Sequence, residues 1–270
     1  MPRLCTTLLL LALSGLAQAE FTMPTLTAAQ LDWLGARIYA NECSQVPACL
    51  TSWNAGEEFP SLGIGHFIWY RAGQAGIYQE TFPDLLRYLA AAGHALPPWI
   101  AQQGFTQPWP DRASFLDARE GSELTALREL LGDTLPEQTA FIVQRFHAAA
   151  PRLLAAVPPE ERAALERKLV AVAASEAPRG LYALIDYVHF KGEGTRAQER
   201  YQGQGWGLLQ VLQAMPEVAA NPLDAFIASA DAMLTRRVAN APLERGEERW
   251  LAGWRQRLAT YSSADRPTPR

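Results

Sequence analysis

Three kinds of side chain suited to proton transfer fall close together near the start of the chain: the carboxyl of Glu42, the hydroxyl of Ser61 and the imidazole of His66. Ser61 opens the run Ser61-Leu62-Gly63-Ile64-Gly65-His66, and the stretch between it and Glu42 is rich in turn residues. A carboxylic acid that projects over a groove can protonate the leaving oxygen of a glycoside, provided that it holds a proton near neutral pH. The elements around Glu42 suit that task. Thr27 caps an expected helix over 27–43, with Leu31, Leu34 and Ile38 as its apolar stripe, so Glu42 falls in the last turn. There the helix dipole disfavours negative charge and favours the protonated carboxyl. Residues 53–70 interleave Asn54, Gly56, Pro60, Gly63 and Gly65 with Leu62, Ile64 and Phe67, the pattern of turns and short strands.

Hydrolysis also needs a group that activates water. In an inverting glycosidase this is a second carboxylate roughly 6.5 to 9.5 Å from the acid. Glu57 and Glu58 are the nearby candidates, and Glu193, in a glycine-rich loop over 191–207, is a more distant one. Tyr182, Asp186 and His189 recur at helical spacing opposite Leu181, Leu184, Ile185 and Val188, so they can line one wall of a cleft. Asn54, His66, Asp186, His189, Glu193 and Tyr201 make up the expected substrate-binding set. Trp53, Trp69, Tyr70, Trp109 and Trp206 lie in turn-rich segments where a cleft wall can expose rings for stacking on sugars, although most of them read as core, and Trp250 and Trp254 read as packing residues.

The helix that ends in Glu42, followed by a hydroxyl residue and an aliphatic-Gly-Ile-Gly-His run, resembles the phage-type lysozymes, muramidases that cut peptidoglycan. The likeness covers about a tenth of the chain. It implies a lysozyme-like helical body with a small hairpin, Glu42 as general acid and Ser61 orienting the attacking water. The family also has an Asp between these anchors, and this chain has none there; Asn54, Glu57 and Glu58 are the nearest substitutes. Lytic transglycosylases cleave with a single Glu, and Gly207-Leu208-Leu209-Gln210 is similar to their Gly-Leu-Met-Gln stretch. A catalytically silent glycan-binding protein of the same fold is the reading from outside enzymology.

Composition and the remaining punctuation set the frame. Helical patterns over 82–92, 112–131, 137–156, 159–174, 181–190, 208–215, 223–238 and 247–261 give a mainly α fold with one small β region near 53–70. Residues 1–19 read as a secretory signal peptide, with an apolar stretch before Ala17-Gln18-Ala19, which leaves 20–270 as one domain of an exported, periplasmic or secreted protein. Cys43 and Cys49 are then the remaining cysteines, and in that compartment they read as a disulfide. No metal or cofactor is expected, since two cysteines fall short of a four-ligand zinc site. A net charge of −4 without long basic runs argues against nucleic acid. After signal cleavage no stretch is long enough to span a membrane. The expected partner is peptidoglycan or a related glycan.

Overall fold

The structure, a computed structural model, describes residues 23–262 apart from 75 and 77, so the expected signal peptide lies outside the described residues. The chain is mainly helical, with a small antiparallel sheet and one further hairpin. Helix α1 (Ala28–Cys43) begins at Thr27, whose hydroxyl accepts from the Gln30 amide while the Gln30 side chain returns the bond, a reciprocal cap. It ends where Ser44 and Gln45 turn left-handed. The Cys43–Cys49 disulfide closes the loop that follows. Next come β1 (Thr51–Ser52), β2 (Ser61–Leu62) and β3 (Phe67–Ile68), paired in that order, with Ser61 opposite Ser52 and Ile68.

The helices that follow are α2 (Phe82–Ala91), α3 (Pro98–Gln102), α4 (Arg112–Asp117), α5 (Ser122–Asp133), α6 (Leu135–Ala155), α7 (Pro159–Ala174) and α8 (Arg179–Lys191). A hairpin of β4 (Arg200–Tyr201) and β5 (Gln204–Gly205) precedes α9 (Leu208–Ala214), α10 (Pro222–Asn240) and α11 (Glu248–Ser262). Two expectations change. The single helix over 112–131 is two helices, because the chain turns at Ala118 and leaves Gly121 extended as the cap of α5. The expected loop over 191–207 contains a short hairpin, with Gly203 left-handed at its turn.

Helix α8 forms the middle of the body. Its residues from Arg179 to Tyr187 are all buried, and α1, α6, α7, α9 and α11 pack around it. Close approach needs small residues at the crossings: a Cβ on Gly35 of α1 would run into the Thr139 hydroxyl of α6. The sheet is tied to this body by Gln138 of α6, fully buried, whose Oε1 accepts from the Ile64 amide at 3.0 Å. Gly63 beside it has φ +66°, a left-handed turn conformation that glycine adopts without steric cost. Burial of Leu62, Ile64 and Phe67 in the common core then fixes where the β2–β3 turn, and therefore His66, can lie. Among the described residues no helix is long and apolar enough to cross a membrane.

Candidate functional site

Glu42 stands one residue before the end of α1, with its side chain 16% exposed. Its Oε1 accepts from Nη2 of Arg257, which lies on α11, and its Oε2 is 3.3 Å from Nδ1 of His66 in the β2–β3 turn. Three segments distant in sequence thus converge on one carboxyl. His66 has φ +45°, a conformation uncommon for a residue with a side chain and kept only where the surroundings hold it.

Arg257 is shared. Its Nε and Nη2 donate to Asp186 of α8 at 2.9 and 2.8 Å, a two-pronged grip, while Glu42 receives a single N–H. Asp186 is only 3% exposed and accepts two more bonds, from the Tyr261 hydroxyl at 2.7 Å and from Asn41 Nδ2 at 2.9 Å. Asn41 also donates to the Tyr182 hydroxyl, which pairs with Thr260. Burial alone would lower the pKa of Arg257, but Asp186 and Glu42 outweigh it and hold the guanidinium above its ordinary value. Burial raises the Tyr182 and Tyr261 hydroxyls, with the Asp186 charge adding to the shift, so both stay neutral and Tyr261 remains a donor to Asp186. The cluster therefore contains one permanent cation and two carboxyls. One of these is saturated by buried donors; the other reaches solvent.

A cavity of about 280 Å³ opens between α6 and α8, with apolar walls from Phe141, Phe146, Leu169 and Ile185 and a polar mouth of Arg145, His189 and Glu193. His189 is exposed there, yet the protein crowding around it lowers its imidazole pKa, against the pull of Glu42 and Asp186. Desolvation also lowers the pKa of Arg145, against the opposing influence of Asp84.

The expected site residues do not form a single group. Glu42, His66 and Asp186 come together as described, whereas His189 lies at the cavity mouth and, among the described residues, no hydrogen bond or ion pair joins it to them. Ser61 is 4% exposed on β2 and donates to Glu57 Oε2 at 3.3 Å, and Asn54 Nδ2 donates to the same oxygen at 3.3 Å. Glu58 is exposed, and its backbone carbonyl accepts from Gln74 Nε2 at 3.0 Å. Among the described residues no hydrogen bond or ion pair joins the Ser61–Glu57 group to Glu42. Tyr201 belongs elsewhere: its hydroxyl donates to Glu247 at 2.8 Å and its ring lies against Trp206. Glu193 is half-buried at the cavity mouth.

The aromatic residues of the turn-rich segments are core, as most of them read from the sequence. Trp53, Trp69, Tyr70, Trp109 and Trp206 are each at most 6% exposed, and Trp69 and Trp109 form part of a ring cluster with Trp99 and Phe115. The residues that sequence reasoning missed are Asn41, Arg257 and Tyr261. Asn41 adjoins Glu42, but the two others sit on a helix whose visible signal was its apolar face. Compared with known protein families, with curated proteins and with solved structures, the chain matches none.

Proposed function

We propose that this chain is an exported glycosidase of the lysozyme type, cleaving peptidoglycan or a related cell-wall glycan, with Glu42 as its general acid. The observation that carries the reading is the convergence of α1, the β2–β3 turn and α11 on one solvent-reaching carboxyl. Charge counting supports the role. Asp186 balances Arg257 through its two-pronged contact, so the Glu42–Asp186–Arg257 trio is electroneutral when Glu42 carries a proton and singly negative after donating it. A sugar ring laid over Glu42 would remove the remaining water from around the carboxyl. As the glycosidic bond breaks, the anion left behind lies beside two N–H donors, those of Arg257 and His66, which stabilise it in place. Glu57, with Ser61 and Asn54 on its carboxylate, is the group best equipped to hold and deprotonate the attacking water. Glu58 is exposed, and among the described residues no hydrogen bond supports its carboxylate.

The second reading is a lytic transglycosylase, favoured by the absence of any bond between the Ser61–Glu57 group and Glu42 among the described residues. Its products would each be lighter by one water, with anhydro ends, so mass spectrometry of a peptidoglycan digest separates the two. Glu42→Gln tests both, because it keeps the shape and removes the proton: clearing of a cell-wall suspension should fall roughly 100- to 10,000-fold. Equal clearing by variant and wild type would remove Glu42 from the mechanism. Sedimentation of the chain with cell walls, without clearing by either form, would favour a glycan-binding protein.

A further inference from the structure

The sulfurs of Cys43 and Cys49 and the Nε2 atom of His66 all lie within 4.8 Å of one another, and the Cys49 sulfur is 3.7 Å from that nitrogen. A tetrahedral zinc ion with Zn–S near 2.3 Å and Zn–N near 2.0 to 2.1 Å places sulfur and nitrogen about 3.6 Å apart and two sulfurs about 3.8 Å apart. For the Cys49 sulfur, the spacing to the imidazole is already that of a metal site. The two sulfurs, joined in the disulfide, must separate and Cys43 Sγ must settle at the same spacing, and with their Cα atoms 5.4 Å apart rotation about the Cα–Cβ bonds can do this. The other imidazole nitrogen, Nδ1, already faces Glu42 Oε2 at 3.3 Å. A carboxylate on the far nitrogen of an imidazole is the arrangement that orients metal-bound histidines. Counting cysteines along the sequence gives two ligands; the fold supplies the third.

We propose that, once its disulfide is reduced, this chain binds one Zn²⁺ through Cys43 Sγ, Cys49 Sγ and His66 Nε2, with a water as the fourth ligand. The reductant is a dithiol: it gives up two electrons and two protons and closes to its own disulfide, while the Cys43–Cys49 bond breaks to two thiols. The Cys49 side is the accessible one, since Cys49 is half-buried and Cys43 only 4% exposed. Metal binding then releases the two thiol protons to solvent, and the two thiolates neutralise the ion's charge. Disulfide and metal are alternative closures of the same loop. The site does not depend on Glu42 being catalytic.

The test uses the whole chain, reduced with a water-soluble phosphine, which takes oxygen from one water and does not compete for metal as thiols do. After anaerobic desalting, the chain is titrated with Co²⁺. The expected result is a near-ultraviolet thiolate-to-cobalt band and visible bands of tetrahedral cobalt, saturating at one ion per chain and displaced by Zn²⁺, with neither in the oxidised chain. His66→Asn preserves a side chain that tolerates positive φ and should weaken binding by more than about tenfold. Glu42→Gln should weaken it roughly 10- to 100-fold without removing the thiolate band. The inference is overturned if the reduced chain gives no thiolate band, if His66→Asn binds as tightly as wild type, or if the oxidised chain binds equally. Circular dichroism guards against an unfolded sample: helical signal lost on reduction and not regained with metal also overturns it.

Discussion

Replacing Arg257 with Ala takes the one cation from a pair of carboxyls. Asp186, 2% exposed at its side chain, loses both prongs of its guanidinium contact but keeps the Tyr261 and Asn41 donors. Stranding a buried charge costs about 3 to 5 kcal/mol; with two of four bonds retained and Arg257 itself 21% exposed, the lower end applies, about 3 kcal/mol. In a chain of this size that corresponds to a fall of about 6 to 12 °C in melting temperature. The control is on the same helix. Arg255 pairs with Asp231, but those side chains are 51% and 39% exposed, so Arg255→Ala should cost at most about 1 kcal/mol. Thermal melts followed by circular dichroism at pH 7 give the comparison. Adding Asp186→Asn to Arg257→Ala should recover part of the loss. Equal melting temperatures for the Arg257 and Arg255 variants, or a double variant worse than Arg257→Ala alone, would refute the account of Arg257 as a buried counter-ion.

Two further outcomes concern the buried charges around the β4–β5 hairpin. Glu247 is 1% exposed; burial works to raise its pKa, but Arg237, Tyr201 and Arg245 prevail and bring it down to about 2. A carboxyl with a depressed folded pKa stabilises above its ordinary value near 4.5 and loses that contribution as pH falls toward 2. Glu247→Gln should therefore cost roughly 3 kcal/mol at pH 7 and progressively less through that window in denaturant titrations; a pH-independent deficit would contradict this. Lys191, 8% exposed between the rings of Phe190 and Trp254, is pushed down to about 6, by burial first and by Arg237 next. Between pH 6 and its ordinary 10.5 the unfolded chain binds the proton and the folded chain does not, so stability should rise with pH across that range. Lys191→Met should accordingly stabilise the chain at pH 7, by about 2 kcal/mol, and less at pH 10; a variant that melts below wild type at pH 7 would count against it.

Local physics made much of the frame legible. The Thr27 cap, the apolar stripe of α1 and the periodicity of α8 each depend on neighbours within a few residues, and the sequence displays such neighbours directly. The break between α4 and α5 was harder, because helix-forming residues run on either side of Gly121 and only the turn at Ala118 separates them. The β4–β5 hairpin was hidden by its length, two residues per strand, too short for alternation to register. At the site, Glu42 and His66 stood out through the turn chemistry between them, and Asp186 through its helical spacing from Tyr182. Arg257 gave no signal, because its partners are fixed by how α11 docks rather than by anything adjacent to it. The tryptophans were legible in part. Turn residues around Trp53, Trp69 and Trp109 leave room for exposure although most such rings read as core, and those turns fold the rings inward into a shared cluster.

The bond between Glu42 and Arg257 spans 215 positions of the chain. A ribosome that has already delivered the first helix and the small sheet has made a carboxyl without its counter-ion, and almost the entire polypeptide must follow before the missing guanidinium arrives. Fragments that stop short of the last helix would thus lack the finished constellation, however well their earlier segments fold. Among the described residues, α11 is the piece that locks the constellation shut.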